Sequence, residues 1–105
     1  MTESVVEIEV QIRNEEGLHM RPAMLFVDVA GRYHSEIRVS HGPKTVDAKS
    51  IMQMTMLAAT CGTMLKIQAT GADAQQAAEA LRELVEVQMF HETPAKQQPP
   101  SEPNT

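Results

Sequence analysis

Apolar and polar residues alternate strictly over residues 5–13. Val6, Ile8, Val10 and Ile12 fall on one side, and Glu7, Glu9, Gln11 and Arg13 on the other. The pattern returns over 63–70, where Leu65, Ile67 and Ala69 face one way and Met64, Lys66, Gln68 and Thr70 the other. A strand of this kind buries one face and wets the other, so the sheet it joins needs cover on one side only. Residues 36–40 repeat the pattern with Ile37 and Val39 inward, and 44–48 with Val46 and Ala48 inward. His41-Gly42-Pro43 turns the chain between those two, which predicts a hairpin.

The covering layer is legible as three helical stripes. Ala23, Phe26, Val27 and Ala30 recur at i, i+3, i+4 and i+7, predicting a helix over 20–30 that Gly31 stops. Met54, Leu57 and Ala58 predict a second over 51–60, with Ser50 before it and Gly62 ending it. Ala74, Ala77, Ala78, Leu81, Leu84 and Val85 share a face over 74–87, with Asp73 as the expected N-cap. The order strand, helix, strand, strand, helix, strand, helix predicts an α+β fold: an open-faced sandwich. Its sheet is four-stranded and mainly antiparallel, with three helices on one face. With two Phe, one Tyr and no Trp, the eight Met must fill space that larger side chains would otherwise take. The folded domain is expected over residues 1–90. Pro94, Pro99, Pro100 and Pro103 punctuate residues 91–105, which have no apolar period and read as a disordered tail.

Several function classes drop out. The net charge is −5 and no Lys/Arg cluster occurs, which argues against nucleic acid. No signal pattern or long apolar run is present, so no membrane association and a cytoplasmic location are expected. Cys61 is the sole cysteine and has no internal disulfide partner. It is expected to be small and part-buried before a turn at Gly62. His19, His34, His41 and His91 lack metal-ligand spacing, so no metal is expected. His34 and His41 read as solvated. Glu15 and Glu16 read as solvated loop acids rather than an acid–base dyad. No glycine-rich nucleotide loop is present, so no cofactor is expected, and so short a chain leaves little room for a deep substrate pocket. Nothing points to an obligate oligomer, and a monomer is expected. The remaining role is a substrate of other proteins.

The chemistry concentrates in Gly17-Leu18-His19-Met20-Arg21-Pro22-Ala23-Met24, where a strand pattern gives way to a helix pattern. Pro22 suits only the first turn of a helix, which puts His19 at or just before a helix N-terminus. Backbone N–H groups and the positive end of the helix dipole converge there and favour an anion. Arg21 adds a fixed cation suited to phosphate. A neutral imidazole is a nucleophile, and the same donors would hold a phosphoryl group attached to the ring. On spacing alone, a lone histidine at a helix start is more often an exposed residue or a cap. Met20 and Met24 fall off the core stripe: either they sit half-buried at the helix edge, or they form an adaptable apolar contact beside His19.

Two motifs decide between these readings. Gly17-Leu18-His19-x-Arg21-Pro22-Ala23 resembles the phosphorylation site of HPr, the phosphocarrier of the bacterial phosphoenolpyruvate-dependent phosphotransferase system. Lys49-Ser50-Ile51-Met52 resembles that family's regulatory-serine site, and the likeness runs from about Val5 to about Val87. It implies the HPr-like open-faced sandwich and a carrier rather than an enzyme. Enzyme I would phosphorylate His19 on Nδ1, with Arg21 neutralising the phosphoryl group, and an enzyme II A-type domain would receive it. It further implies partner contacts through Met20, Met24, Ile51, Met52 and Thr55. Ser50 would be phosphorylated by an HPr kinase/phosphorylase, although by position it is already a good helix cap. Glu16, Asp28 and Gly31 depart from residue types common in the family. They keep open a regulatory alternative: an HPr-like protein of nitrogen-branch or carbon-catabolite signalling, acting through phosphorylation-dependent protein binding.

Overall fold

A computed structural model describes residues 4–90. The expected tail at 91–105, with His91, lies outside the described residues. The elements run β1 (Val5–Gln11), α1 (Met20–Ala30), β2 (Glu36–His41), β3 (Lys44–Asp47), α2 (Ile51–Met56), β4 (Met64–Thr70) and α3 (Ala74–Arg82). A π-helical turn, Glu83–Val87, follows α3. The strands form one four-stranded sheet in the order β1-β4-β2-β3, and every neighbouring pair is antiparallel.

Register explains why the alternation survives into the core. Ile8 pairs with Ile67, Ile67 with Val39, and Val39 with Val46, so one apolar row crosses all four strands. Val6, Ala69 and Ile37 form the next row, and Val10 pairs with Leu65. Phe26, Met54, Leu81 and Val85 from the helical layer are fully buried, along with Ile37, Val39, Leu65 and Ile67 of the sheet. Each buried aliphatic or aromatic side chain is worth roughly 1.5–3 kcal/mol, so this single interface dominates stability. The opposite face of the sheet carries the polar set and the Lys66–Glu7 and Arg38–Glu36 ion pairs.

Several expectations need correction. The first strand ends at Gln11; Ile12 is still buried, and its N–H donates to the Thr63 carbonyl at 2.9 Å. The second helix stops at Met56, not at 60. Ala58 turns outward with φ +52, which brings Ala59 into the core; Gly62 turns the chain later, at φ +94. Gly31 ends α1 while staying right-handed, at φ −69. The last helix changes pitch after Arg82: the Gln88 N–H bonds the Glu83 carbonyl, five residues back, at 2.8 Å. The wider turn keeps Leu84 and Val85 buried and lets the Glu86 carboxylate accept the Gln11 N–H at 2.8 Å. Asp73 does not cap its own helix by its side chain. Its carboxylate instead accepts the backbone N–H groups of His34 and Ser35 at 2.8 and 2.9 Å, and the Ser35 hydroxyl. Cys61 is exposed rather than part-buried. His41 is half-buried at the end of β2, with Nδ1 3.4 Å from the Leu57 carbonyl, whereas His34 is exposed.

Candidate functional site

His19 is the N-cap residue of α1, in extended backbone (φ −94, ψ −161), and its side chain makes no capping bond. His19 is exposed, as are Met20 and Arg21, whereas Leu18, Pro22 and Ala23 are buried. Pro22 falls inside the first turn, and the Ala23 N–H closes the helix onto the His19 carbonyl at 2.9 Å. First-turn amides have no intrahelical acceptor, and no acidic side chain occupies this turn. The positive end of α1 is therefore uncompensated by a carboxylate of its own. Arg21 stands in that same turn and is exposed.

The loop before His19 is held from two sides. Asn14, itself buried, receives the Gly17 N–H on its carbonyl at 3.1 Å and donates Nδ2 to the Gly17 carbonyl at 2.8 Å. On the other side the Leu18 N–H bonds the Ala59 carbonyl at 2.8 Å. Gly17 has φ +75, and a Cβ there would lie 2.8 Å from the Ala59 oxygen. Only glycine meets both demands. The early end of α2 is thus tied to the site, because the 58–60 segment is what the histidine loop leans on.

Ser50 is the N-cap of α2, and its Oγ accepts the Gln53 N–H at 3.3 Å. The side chain is half-buried, and its own N–H is tied to the Asp47 carbonyl at 3.1 Å. Lys49 beside it donates Nζ to the Tyr33 carbonyl at 2.7 Å. The capping role anticipated for Ser50 is therefore present.

Between α1 and α2 lies an apolar groove lined by Met20, Met24, Val27, Asp28 and Ile51. Met20 and Met24 are 59% and 54% exposed, and Met52 and Met56 on α2 are 74% and 63% exposed. The methionines of α1 are therefore exposed, not half-buried at the edge of the core. Thr55 is half-buried and returns its hydroxyl to the Met52 carbonyl at 2.8 Å. Among the described residues, no three His, Cys, Asp or Glu side chains gather to hold a metal. No helix there is long and apolar enough to cross a membrane.

Residues 6–87 match the family described as the PTS HPr component phosphorylation site. The chain belongs to the HPr family of phosphocarrier proteins. Phosphocarrier protein HPr of Pseudomonas aeruginosa is 47% identical over 79 residues, covering 74% of this chain and 88% of that protein. The HPr of Thermoanaerobacter tengcongensis superposes with TM-score 0.78 at 40% identity, covering 84% of this chain and 99% of the other. Crh of Bacillus subtilis, whose crystal structure shows a swapped, intertwined dimer, superposes with TM-score 0.64 at 40% identity, covering 78% and 94%.

The groove, the exposed face of α2 and the histidine loop include four residues that the sequence did not assign to a site. Val27 and Asp28 line the groove because they follow Met24 by three and four positions, the spacing of one helix face. Met56 follows Met52 by four for the same reason, and its signal was present in the sequence. Asn14 carried no such signal: its role depends on the Gly17 carbonyl being brought to its amide by the fold.

Proposed function

We propose that this HPr-family chain accepts a phosphoryl group on Nδ1 of His19 from enzyme I, with phosphoenolpyruvate as the original donor. It then passes the group to an enzyme II A-type domain. The observation that carries the reading is the position of His19. The residue is exposed and its side chain is unused as a cap, at a helix N-terminus that has no acid in its first turn. In the first transfer the imidazole lone pair attacks phosphorus, a P–N bond forms and the bond from phosphorus to the donor breaks. The second transfer reverses these roles, with the ring as leaving group. Arg21 and the first-turn amides hold the three phosphoryl oxygens without reacting themselves. The α1–α2 methionine surface, including Ile51 and Thr55, seats both partners in turn. The chain works as a monomer in the cytoplasm, and Ser50 is a site for an HPr kinase/phosphorylase.

The regulatory alternative draws on Asp28. A carboxylate in the wall of an apolar groove disfavours an acidic partner and favours a basic one. A relay assay separates the two readings. Purified enzyme I and phosphoenolpyruvate should load the chain, and an enzyme II A-type domain should then unload it. Arg21→Ala should slow loading by roughly tenfold or more, as expected when a charge-assisted contact is lost from a transferring phosphoryl group. Loading without onward transfer to any A-type domain would favour the regulatory protein. An unchanged rate would remove Arg21 from the mechanism.

A further inference from the structure

Met20 and Met24 form an i, i+4 pair on α1, and Met52 and Met56 form a second on α2. The helices pack against one another, and all four methionines are more than half exposed. Met54, between the second pair in sequence, is fully buried. Met64 is exposed too, but on β4, where its neighbours on the same side are the polar residues of the open sheet face. Met89 is half-buried beside Arg13, Asn14, Glu15 and Glu16. Among the described methionines, four are therefore exposed on the paired helices α1 and α2, Met54 is in the core, and Met64 and Met89 lie elsewhere.

We propose that Met20, Met24, Met52 and Met56 form an oxidation site, and that a peroxide-class oxidant switches the docking surface from apolar to polar there. The inference rests on the carrier reading for its consequence, but not for its chemistry. The thioether sulfur attacks one oxygen of the peroxide O–O bond. An S–O bond forms, the O–O bond breaks, and the second oxygen leaves as water once it takes up the proton of the transferred oxygen. Sulfur is oxidised by two electrons and the peroxide is reduced by two. The sulfoxide is polar and chiral, and methionine sulfoxide reductases return it to the thioether. Burying its S–O group against an apolar partner without a donor is unfavourable. Because the four side chains lie outside the core, the modification leaves the fold in place while altering what can dock on it. A leucine surface would offer the same apolar area without this chemistry.

The test treats the full chain with hydrogen peroxide, maps each methionine by peptide mass spectrometry, and measures melting and loading by enzyme I. Met20, Met24, Met52 and Met56 should oxidise well before Met54, with the melting temperature nearly unchanged. The loading rate should fall roughly tenfold, the effect of a modest free-energy penalty at an interface. Reductase treatment should restore it. A variant with all four replaced by Leu but Met64 retained should keep its own untreated rate after peroxide. Oxidation of Met54 in step with the four, or loading that is unaffected by sulfoxide at all of them, would overturn the proposal. So would an equal loss in the Leu variant, which would move the effect elsewhere. If the untreated chain takes up no phosphoryl group at all, the carrier reading fails, and the order of oxidation and the melting curve still decide the oxidation site.

Discussion

Gly17 bears most of the geometric burden at the site. Its φ of +75 would strain a residue with a side chain, and a Cβ added there would meet the Ala59 oxygen at 2.8 Å. Left-handed backbone alone costs an ordinary residue about 1–2 kcal/mol, and the clash adds to that. Gly17→Ala should therefore lower stability by about 2 kcal/mol or more in denaturant melts and slow loading of His19, because the loop must lift from residues 59–60. A variant with wild-type stability would show that the loop relaxes without consequence. His19, Arg21 and Pro22 were legible as a helix start because proline restricts its position so tightly. The clamp by Asn14 was not legible, since a buried amide in a polar loop has no periodic signature. Cys61 was misjudged for a related reason: burial of a residue in a turn depends on what the turn leans against, which local sequence does not encode.

The elements joining strands to helices carry two further consequences. Asp73 links the start of α3 to the entry of β2, with the Ser35 hydroxyl bond first in effect and the His34 N–H next. Together they hold its carboxyl at about 2, below its ordinary 3.8. A folded-state value below the unfolded one contributes stability above the ordinary value and loses it as pH falls toward the folded value. Between about pH 4 and pH 2 the wild type should thus lose stability relative to Asp73→Asn, narrowing the gap between them in melts across that range. A constant gap would mean the clasp contributes nothing that depends on ionisation. At α2 the Ser50 cap suits either serine or a carboxylate, so Ser50→Asp should leave the melting temperature nearly unchanged. On the proposed docking through Ile51 and Met52 it should still slow loading, because the added charge would face the partner. Equal loading at low and physiological salt would leave Ser50 as a cap alone. Strands and helices with clean periods were legible almost to the residue, as with α1. The ends of α2 and α3 were not, because Ala58 leaves the helix to place Ala59 under Gly17, and the π-helical turn serves Leu84, Val85 and Glu86 together.

Across the whole molecule, composition misleads about docking. The chain carries −5 overall, which would suggest weak attraction to an acidic partner. Yet cations flank the α1–α2 surface: Arg21 in the first turn of α1, Lys49 on the Tyr33 carbonyl and Lys44 on the Met56 carbonyl at 3.2 Å. Other acidic residues lie elsewhere, as with Glu7 and Glu9 on the outer side of β1 and Glu79, Glu83 and Glu86 on α3 and the π-helical turn that follows it. Net charge averages over every face of the chain, not over the α1–α2 surface alone. The one-sided strands fixed which side of the sheet is covered, so the architecture followed from the alternation. The proposed site rests on a proline, an arginine and a histidine at the start of one helix. Their joint claim is that His19 carries the phosphoryl group. The direct measurement incubates the chain with phosphoenolpyruvate and enzyme I, then localises the label by intact mass, peptide mapping and phosphorus NMR. One acid-labile, base-stable phosphoryl group on Nδ1 of His19, absent from a folded His19→Ala variant, is the predicted result; uptake by that variant, or label on another residue, would contradict it.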